Sequence, residues 1–276
     1  MDTDNEIVIK PRKDFLSSGL KELWAYRELA YFFVWRDIKL RYKQTAIGAL
    51  WAIFQPLAAM LIFTIFFGKF AKVPSDGVPY PVFVYMGLLF WNYFSFGLNH
   101  AANSMVSNAN IIQKIYFPRL IIPISSSLIG LIDLAVSSLI LIGLMVYYHC
   151  APNIIGMAYL PMVIFVTFLS SVGIGCFLAS VNVKYRDVRY ILPFFIQMLM
   201  FLTPVIYPLS MLSKKYRWLM IMNPMSGVIE TARSVIFGIR AVDWHLLLIS
   251  TGISAALFIF GIVYFRKTER FFADII

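Results

Sequence analysis

The sequence predicts an all-α integral membrane protein: six transmembrane helices, an N-terminal interfacial amphipathic helix, a re-entrant helical hairpin between helices 5 and 6, and both chain ends cytoplasmic. Three observations carry this. Hydrophobic residues fill 60% of the 276 positions, charged residues only 14%, and mean hydropathy is +0.77, a composition outside the soluble globular range and inside that of polytopic membrane proteins. The apolar residues gather into blocks long enough to cross a bilayer. The 24 Lys and Arg lie between those blocks, where they face headgroups and set topology. The net charge of +10 therefore points to a membrane partner, and without a basic soluble domain no nucleic acid is expected.

Residues 1–45 are read as a cytoplasmic tail followed by the interfacial helix. The first fourteen mix Asp2, Asp4, Glu6 and Asp14 with Lys10, Arg12 and Lys13 and lack the apolar core of a secretory signal. From 15 to 44, Leu20, Leu23, Trp24, Tyr31, Val34, Trp35 and Ile38 recur near helical spacing with Lys21, Arg36 and Lys39 opposite, as in a helix lying on the membrane. Arg27 interrupts that stripe and Phe32 and Phe33 fall outside it, so one helix or two joined by a bend both satisfy the pattern. Arg36, Lys39, Arg41 and Lys43 then precede an apolar run that lasts to Gly68, which marks their side as cytoplasmic.

The membrane domain, 46–265, opens with a span at 46–68 and a short outer loop containing Lys69, Lys72, Pro74, Ser75, Asp76, Gly77 and Pro79. Span two begins at Tyr80-Pro81. Its inner half holds Asn92, Asn99, His100 and Asn103, which are expected to point into the bundle rather than at lipid. The inner loop that follows contains a modestly amphipathic helix at about 107–116, with Ile111, Ile112, Ile115 and Tyr116 beside Asn110, Gln113 and Lys114, ended by Phe117-Pro118-Arg119. Span three, 121–148, carries Asp133, the only carboxylate deep in a predicted span. The turn Ala151-Pro152-Asn153, span four at 157–181, a basic inner loop with Lys184, Arg186, Asp187 and Arg189, and span five at 190–207 come next. At about 208–240, Asn223-Pro224 breaks an apolar run, and Glu230 and Arg233 would both lie in hydrocarbon. Two short helices in a re-entrant hairpin avoid that cost. The last span, 244–265, leads to a cytoplasmic tail, 266–276, with Arg266, Lys267 and Arg270. This layout places seventeen Lys and Arg inside and seven outside, whereas a seventh span would strand the basic tail outside.

Catalytic patterns are missing: there is no Gly-x-x-x-x-Gly-Lys-Ser/Thr loop and no His-Glu-x-x-His helix, and His100, His149 and His245 are far apart in sequence. Neither a catalytic residue nor a metal site is expected. Cys150 and Cys176 fall near opposite faces of a bilayer about 30 Å thick, too far for a bridge, and read as free apolar fillers. Asp133 is either hydrogen-bonded to a neighbouring helix or a relay or substrate contact, although one carboxylate does not make the ionisable chain of a proton-driven pump. Glu230 and Arg233 are spaced to pair on one helix face. The basic collar sets orientation and anchors headgroups, or meets an anionic substrate headgroup at the inner leaflet. Phe54, Phe90, Trp91, Tyr93, Phe94 and Phe201 sit at span centres, where they pack helices, face lipid or stack on sugar rings.

A series of segments occurs in a characteristic order: Trp35-Arg36-Asp37, Arg41-Tyr42-Lys43-Gln44-Thr45, Gly48 and Trp51, Gln55-Pro56-Leu57, Pro79-Tyr80-Pro81, Gly87-Leu88, Asn108 with Lys114, Phe117-Pro118-Arg119-Leu120, Asn182-Val183-Lys184-Tyr185-Arg186-Asp187, Pro204-Val205-Ile206-Tyr207 and Asn223-Pro224. In these the chain resembles the permease subunits of ABC-2-type polysaccharide exporters, which serve O-antigen, capsule and teichoic-acid export, and it is most similar to the O-antigen branch. Lys184 stands where members often carry Arg. The resemblance implies a half-transporter in the bacterial inner membrane: two copies of this chain with two copies of a separate ABC ATPase subunit, moving a polyprenyl-diphosphate-linked polysaccharide. ATP and Mg would then belong to the partner, with no cofactor on this chain. It further implies that Asn110, Ile111, Gln113, Lys114, Ile115 and Tyr116 belong to an ATPase-coupling helix. Arg36, Asp37, Lys39, Arg41 and Tyr42 would form a gate for the lipid-linked sugar. Spans one, two and five would line the path, with Trp51, Phe54, Phe90, Trp91, Tyr93, Phe94 and Phe201 as its aromatics, and the Asn223-Pro224 hairpin would lie at the outer mouth. A self-contained secondary transporter would instead need a coupling-ion site and paired discontinuous helices, and a membrane glycolipid enzyme would need convergent carboxylates or a metal.

Overall fold

The computed structural model describes residues 22–43, 48–238 and 240–272. Among them the chain forms helices and connecting turns, with no strand, because in hydrocarbon only a helix satisfies every backbone group within its own segment. The expectations placed on Leu20, Lys21, Gln44, Thr45 and the remainder of 1–21, 44–47 and 273–276 lie outside the described residues.

A helix, α1 (Arg27–Lys43), precedes α2 (Gly48–Phe63), which widens into a π-helical stretch at Thr64–Phe70. The long α3 (Tyr80–Ser107) is followed by a single turn, α4 (Ala109–Ile112). Span three is two collinear pieces, α5 (Ile121–Leu128) and α6 (Gly130–Tyr147). Short α7 (Ile154–Met157) leads to α8 (Leu160–Lys184), then α9 (Val188–Leu202). The hairpin is α10 (Lys214–Ile221) and α11 (Pro224–Phe237), and α12 (Trp244–Thr268) closes the described chain.

Local sequence explains the breaks. Pro81 and Pro224 occupy first-turn positions, where a missing N–H costs nothing. Asn223 caps α11 by accepting from Met225 N (3.0 Å), and Asp243 caps α12 by accepting from Leu246 N (3.2 Å). Gly238 ends α11 at φ 64°, a left-handed cap.

The bundle is built around α3: 78% of its most apolar stretch is buried, against 11% for that of the first membrane helix. Packed on α3 are α8, α5, α6, α2 and α11, and α12 lies against α8. At that last contact the backbones meet at Gly173 and Gly261, with no room for a side chain on either. The Ser170 and Ser254 hydroxyls bond across it at 2.7 Å, the close small-residue packing that membrane helices use in place of a hydrophobic drive.

Among the described residues five helices are long and apolar enough to cross a bilayer: Ile53–Phe70, Tyr80–Ser107, Ile121–Tyr147, Ile154–Lys184 and Trp244–Phe271. The predicted fifth span is shorter, the 15-residue α9. It nevertheless joins the two ends of the bundle. Val183, just before it, belongs to one buried cluster with Phe33, Met105, Ile112, Phe117, Phe265 and Phe272. Ile206, just after it, accepts a 2.8 Å bond from Tyr80 at the opposite end of α3. The interfacial helix, the 108–120 connection and the end of α12 thus share one end. Cys150 packs at the other cluster, apart from buried Cys176, and both are free thiols.

Candidate functional site

A cavity of about 400 Å³ opens beside α3, bounded by α1, α2, α6 and α9. Its wall is polar: Gln55, Asn92, Ser95, Asn99, His100, Asp133 and Ser137 all face it. Phe96 supplies an aromatic face, stacked on His100 at 3.9 Å between centroids, and the Tyr93 hydroxyl at the wall is buried without a hydrogen-bond partner. Amides, hydroxyls and aromatic faces at such a volume suit a hydroxyl-rich ligand. Pro56 of α2 and Pro193 of α9 border the same space, and α6 joins the predicted contributors through Asp133.

Asp133 receives Arg41: the guanidinium lies 2.7 Å from its carboxylate and 4.5 Å from the Phe96 ring. Asp133 sits twelve residues, about 18 Å, into its helix from Ile121. The end of α1 therefore reaches into the bundle. A lone carboxylate there would be costly, and this cation offsets that cost.

The second anchor of α1 is Arg36. It bonds Asp37 and donates to Asn108 Oδ1 at 2.8 Å, and it lies over Phe33, which packs on Phe117 at 5.7 Å. Phe33, which the predicted stripe leaves out, is 3% exposed, while Trp24, Tyr31 and Trp35 of that stripe face outward. The helix turns its Leu29-Ala30-Phe33 face to protein and its aromatic stripe away from it. On the outward face Lys39 stacks over Trp35 at 3.3 Å, and Phe32, Trp35, Leu40 and Lys43 edge a hollow of about 320 Å³. Of Tyr42 only the backbone is described, within α1.

The predicted helix at 107–116 is shorter in the structure. The long α3 runs on to Ser107, and Asn108, whose amide bonds Ser104 O at 2.8 Å, starts the single turn of α4. Ile112 is buried and Ile111 partly so, while Asn110, Gln113, Lys114, Ile115 and Tyr116 are exposed. Ile115 and Tyr116 are left outward at the turn, Tyr116 at 81% exposure. Arg119 behind them donates to the Glu269 carbonyl, joining this turn to the end of α12.

At the other end, Arg233 is 5% exposed. It donates to the carbonyls of Pro204 (2.8 Å), Val205 (2.6 Å) and Phe83 (3.3 Å) and lies 3.5 Å from the Phe83 ring centre. The anticipated Glu230 pair is looser, at 3.9 Å, and Glu230 instead accepts from Leu209 N at 2.6 Å. Asn223 Nδ2 bonds Thr203 Oγ1 (2.8 Å), and Asp76 takes Ser210 and Arg240, both at 2.9 Å. The hairpin is bolted to α3 and the 71–79 loop.

The cavity brings together Arg41 and Tyr93 of the predicted site residues, with the predicted inward-facing Asn92, Asn99 and His100. Asn103 instead accepts from Asn182 of α8 at 3.1 Å. Phe90, Trp91 and Phe94 are buried within this chain's own core, and Trp51, Phe54 and Phe201 are on its outer surface. Gln55, known from the sequence only as part of the Gln55-Pro56-Leu57 segment, and Phe96 join the cavity wall, as do Ser95, Ser137 and Pro193, which neither polarity nor spacing sets apart from ordinary span residues.

These features define a polytopic helical membrane protein with a polar cavity bordered by the end of α1 and an exposed apolar turn at one end. The sequence profile of the ABC-2 type transporter family matches residues 28–237, and the chain belongs to that family. It is 26% identical over 242 residues to the O-antigen export system permease protein RfbA of Klebsiella pneumoniae, covering 87% of this chain and 92% of that one. To the protein of the same name from Myxococcus xanthus it is 27% identical over 258 residues, 92% and 98% of the two chains. The polysialic acid transport protein KpsM of Escherichia coli matches over 205 residues at 25% identity, 73% of this chain and 78% of that one. The chain fits the O-antigen branch.

Proposed function

We propose that the chain is the membrane permease of an ATP-driven exporter that moves a polyprenyl-diphosphate-linked polysaccharide from the cytoplasm across the bacterial inner membrane. Two copies of it work with two copies of a separate ATPase, which carries ATP and Mg. The observation that supports this most directly is the polar, aromatic-edged cavity within a membrane bundle, at the flank of a helix that carries Arg36, Lys39, Arg41 and Lys43. The crossing helices number six, α9 included, the 208–240 segment is the re-entrant hairpin at the outer mouth, and the end holding Phe33, Phe117 and Phe272 is cytoplasmic. Lys184, Arg186 and Arg189, exposed near Val183, agree with that side. The turn with Ile115 and Tyr116 docks on the ATPase. A secondary transporter is less well supported, since the one deep carboxylate is engaged by Arg41.

The test is complementation in a strain lacking its own permease. Supplied with the partner ATPase, this chain is expected to restore surface polysaccharide and clear the lipid-linked intermediate held inside. Export without any ATPase would overturn the reading.

A further inference from the structure

The helix α1 is held at two points that belong to different parts of the molecule. Arg36 donates to Asn108 Oδ1 at 2.8 Å. Asn108 is itself fixed, its amide donating to Ser104 O at 2.8 Å, and it opens the turn that presents Ile115 and Tyr116. The Phe33–Phe117 contact at 5.7 Å spans the same junction. Five residues later, about 7.5 Å along the helix, Arg41 pairs with Asp133 at 2.7 Å on the cavity wall. The Leu29-Ala30-Phe33 face of α1 packs on the buried cluster with Phe117, while on its other face Tyr31, Phe32, Trp35 and Leu40 are exposed. Arg41 and Asp133 also keep partial exposure, at 33% and 18% of their side chains, and such a pair parts far more readily than one sealed in the core.

We infer that α1 is a lever. The Arg36–Asn108 bond transmits displacement of the 108–116 turn to α1, and the Arg41–Asp133 pair is the latch which that displacement opens, uncovering the cavity. Arg36 is then a positioning residue for coupling rather than a headgroup ligand. The inference rests on the docking of the 108–116 turn to the ATPase proposed above. It has the form a coupling claim requires: one element with two discrete positions, biased from two sites.

The permease–ATPase complex, reconstituted in bilayers, tests it. In a Cys150→Ala background, Ser95→Cys places a thiol on the cavity wall, where Ser95 is partly buried and bonds only to Asn92 O in its own helix, and a water-soluble maleimide reads its accessibility. ATP bound to a hydrolysis-deficient ATPase is expected to speed labelling roughly five- to tenfold. Asp133→Asn should label fast with or without ATP. Asn108→Ala and Arg36→Ala should label slowly in both states, while the complex still assembles and binds ATP. The exchange Arg41→Asp with Asp133→Arg should recover the response that either change alone removes. A nucleotide response that survives Asn108→Ala overturns the lever alone, and a charge exchange that fails to recover it overturns the latch. No nucleotide response with both contacts intact would overturn the lever together with the function it rests on.

Discussion

Arg233 shows how a cation becomes tolerable beside hydrocarbon. Its guanidinium serves three backbone carbonyls at once, two of them in the Pro204-Val205 stretch that has no helix to satisfy it. Arg233→Met would leave those acceptors and the Glu230 carboxylate short of a donor, and should cost about 3–5 kcal/mol, read as a lowered unfolding midpoint of the purified protein. Arg233→Lys, with a compact ammonium in place of the fork, should recover part of that loss. Gly87 meets the same stretch: an added Cβ would lie 2.6 Å from Val205 O and 2.8 Å from Arg233 Nη2. A carbonyl held by Arg233 cannot yield, so Gly87→Ala should destabilise by about 1–3 kcal/mol in the same measurement. Sequence alone marks Glu230 and Arg233 as partners because they are three apart, and it cannot show carbonyls brought there from residues 83 and 204–205 by the fold. The same holds for Arg41 and Asp133, each visible as a charge near a span but 92 positions apart.

Among elements, apolar patterning locates the long helices well, as for α3, α8 and α12, whose bounds lie within a few residues of those expected. It overreached at 107–116, since Ile111, Ile112, Ile115 and Tyr116 have helical spacing while only Ala109–Ile112 forms an α-helix. There the buried neighbours Ile112 and Phe117 hold the segment, and its later residues face outward. That exposure makes the turn a clean target. Ile115→Asp with Tyr116→Asp should change folding stability by no more than about 0.5 kcal/mol, yet abolish copurification of the ATPase and export. In the hairpin, Asn223→Ala removes the cap of α11 and its tie to Thr203, with an expected cost of about 1 kcal/mol seen in thermal unfolding. Around α1 the stripe expected to meet the membrane keeps Trp24, Tyr31 and Trp35 turned away from protein, while Phe33, outside the stripe, is the residue that packs inward, because lipid and protein both attract apolar side chains and periodicity does not tell them apart.

For the whole molecule, the two buried clusters define two ends, and thiol labelling from each side of the membrane can assign them. Gln113→Cys and Lys184→Cys should react only from the cytoplasm, and Ala151→Cys and Lys215→Cys only from outside; one shared side for all four would remove the six-crossing arrangement. The shortness of α9 bears on the surrounding lipid. Its 15 residues reach about 22 Å, where the hydrocarbon of a typical bilayer is about 30 Å thick. With α9 as a crossing, as proposed, lipids along it would thin to meet it, and the dimple would form beside the cavity that α9 borders through Pro193 and Ile196. With the leaflets drawn together at that point, a headgroup crossing there would have less hydrocarbon to pass. Vesicles of shorter-chain lipids should therefore support faster export than those of longer-chain lipids, as measured by glycan appearing across the membrane.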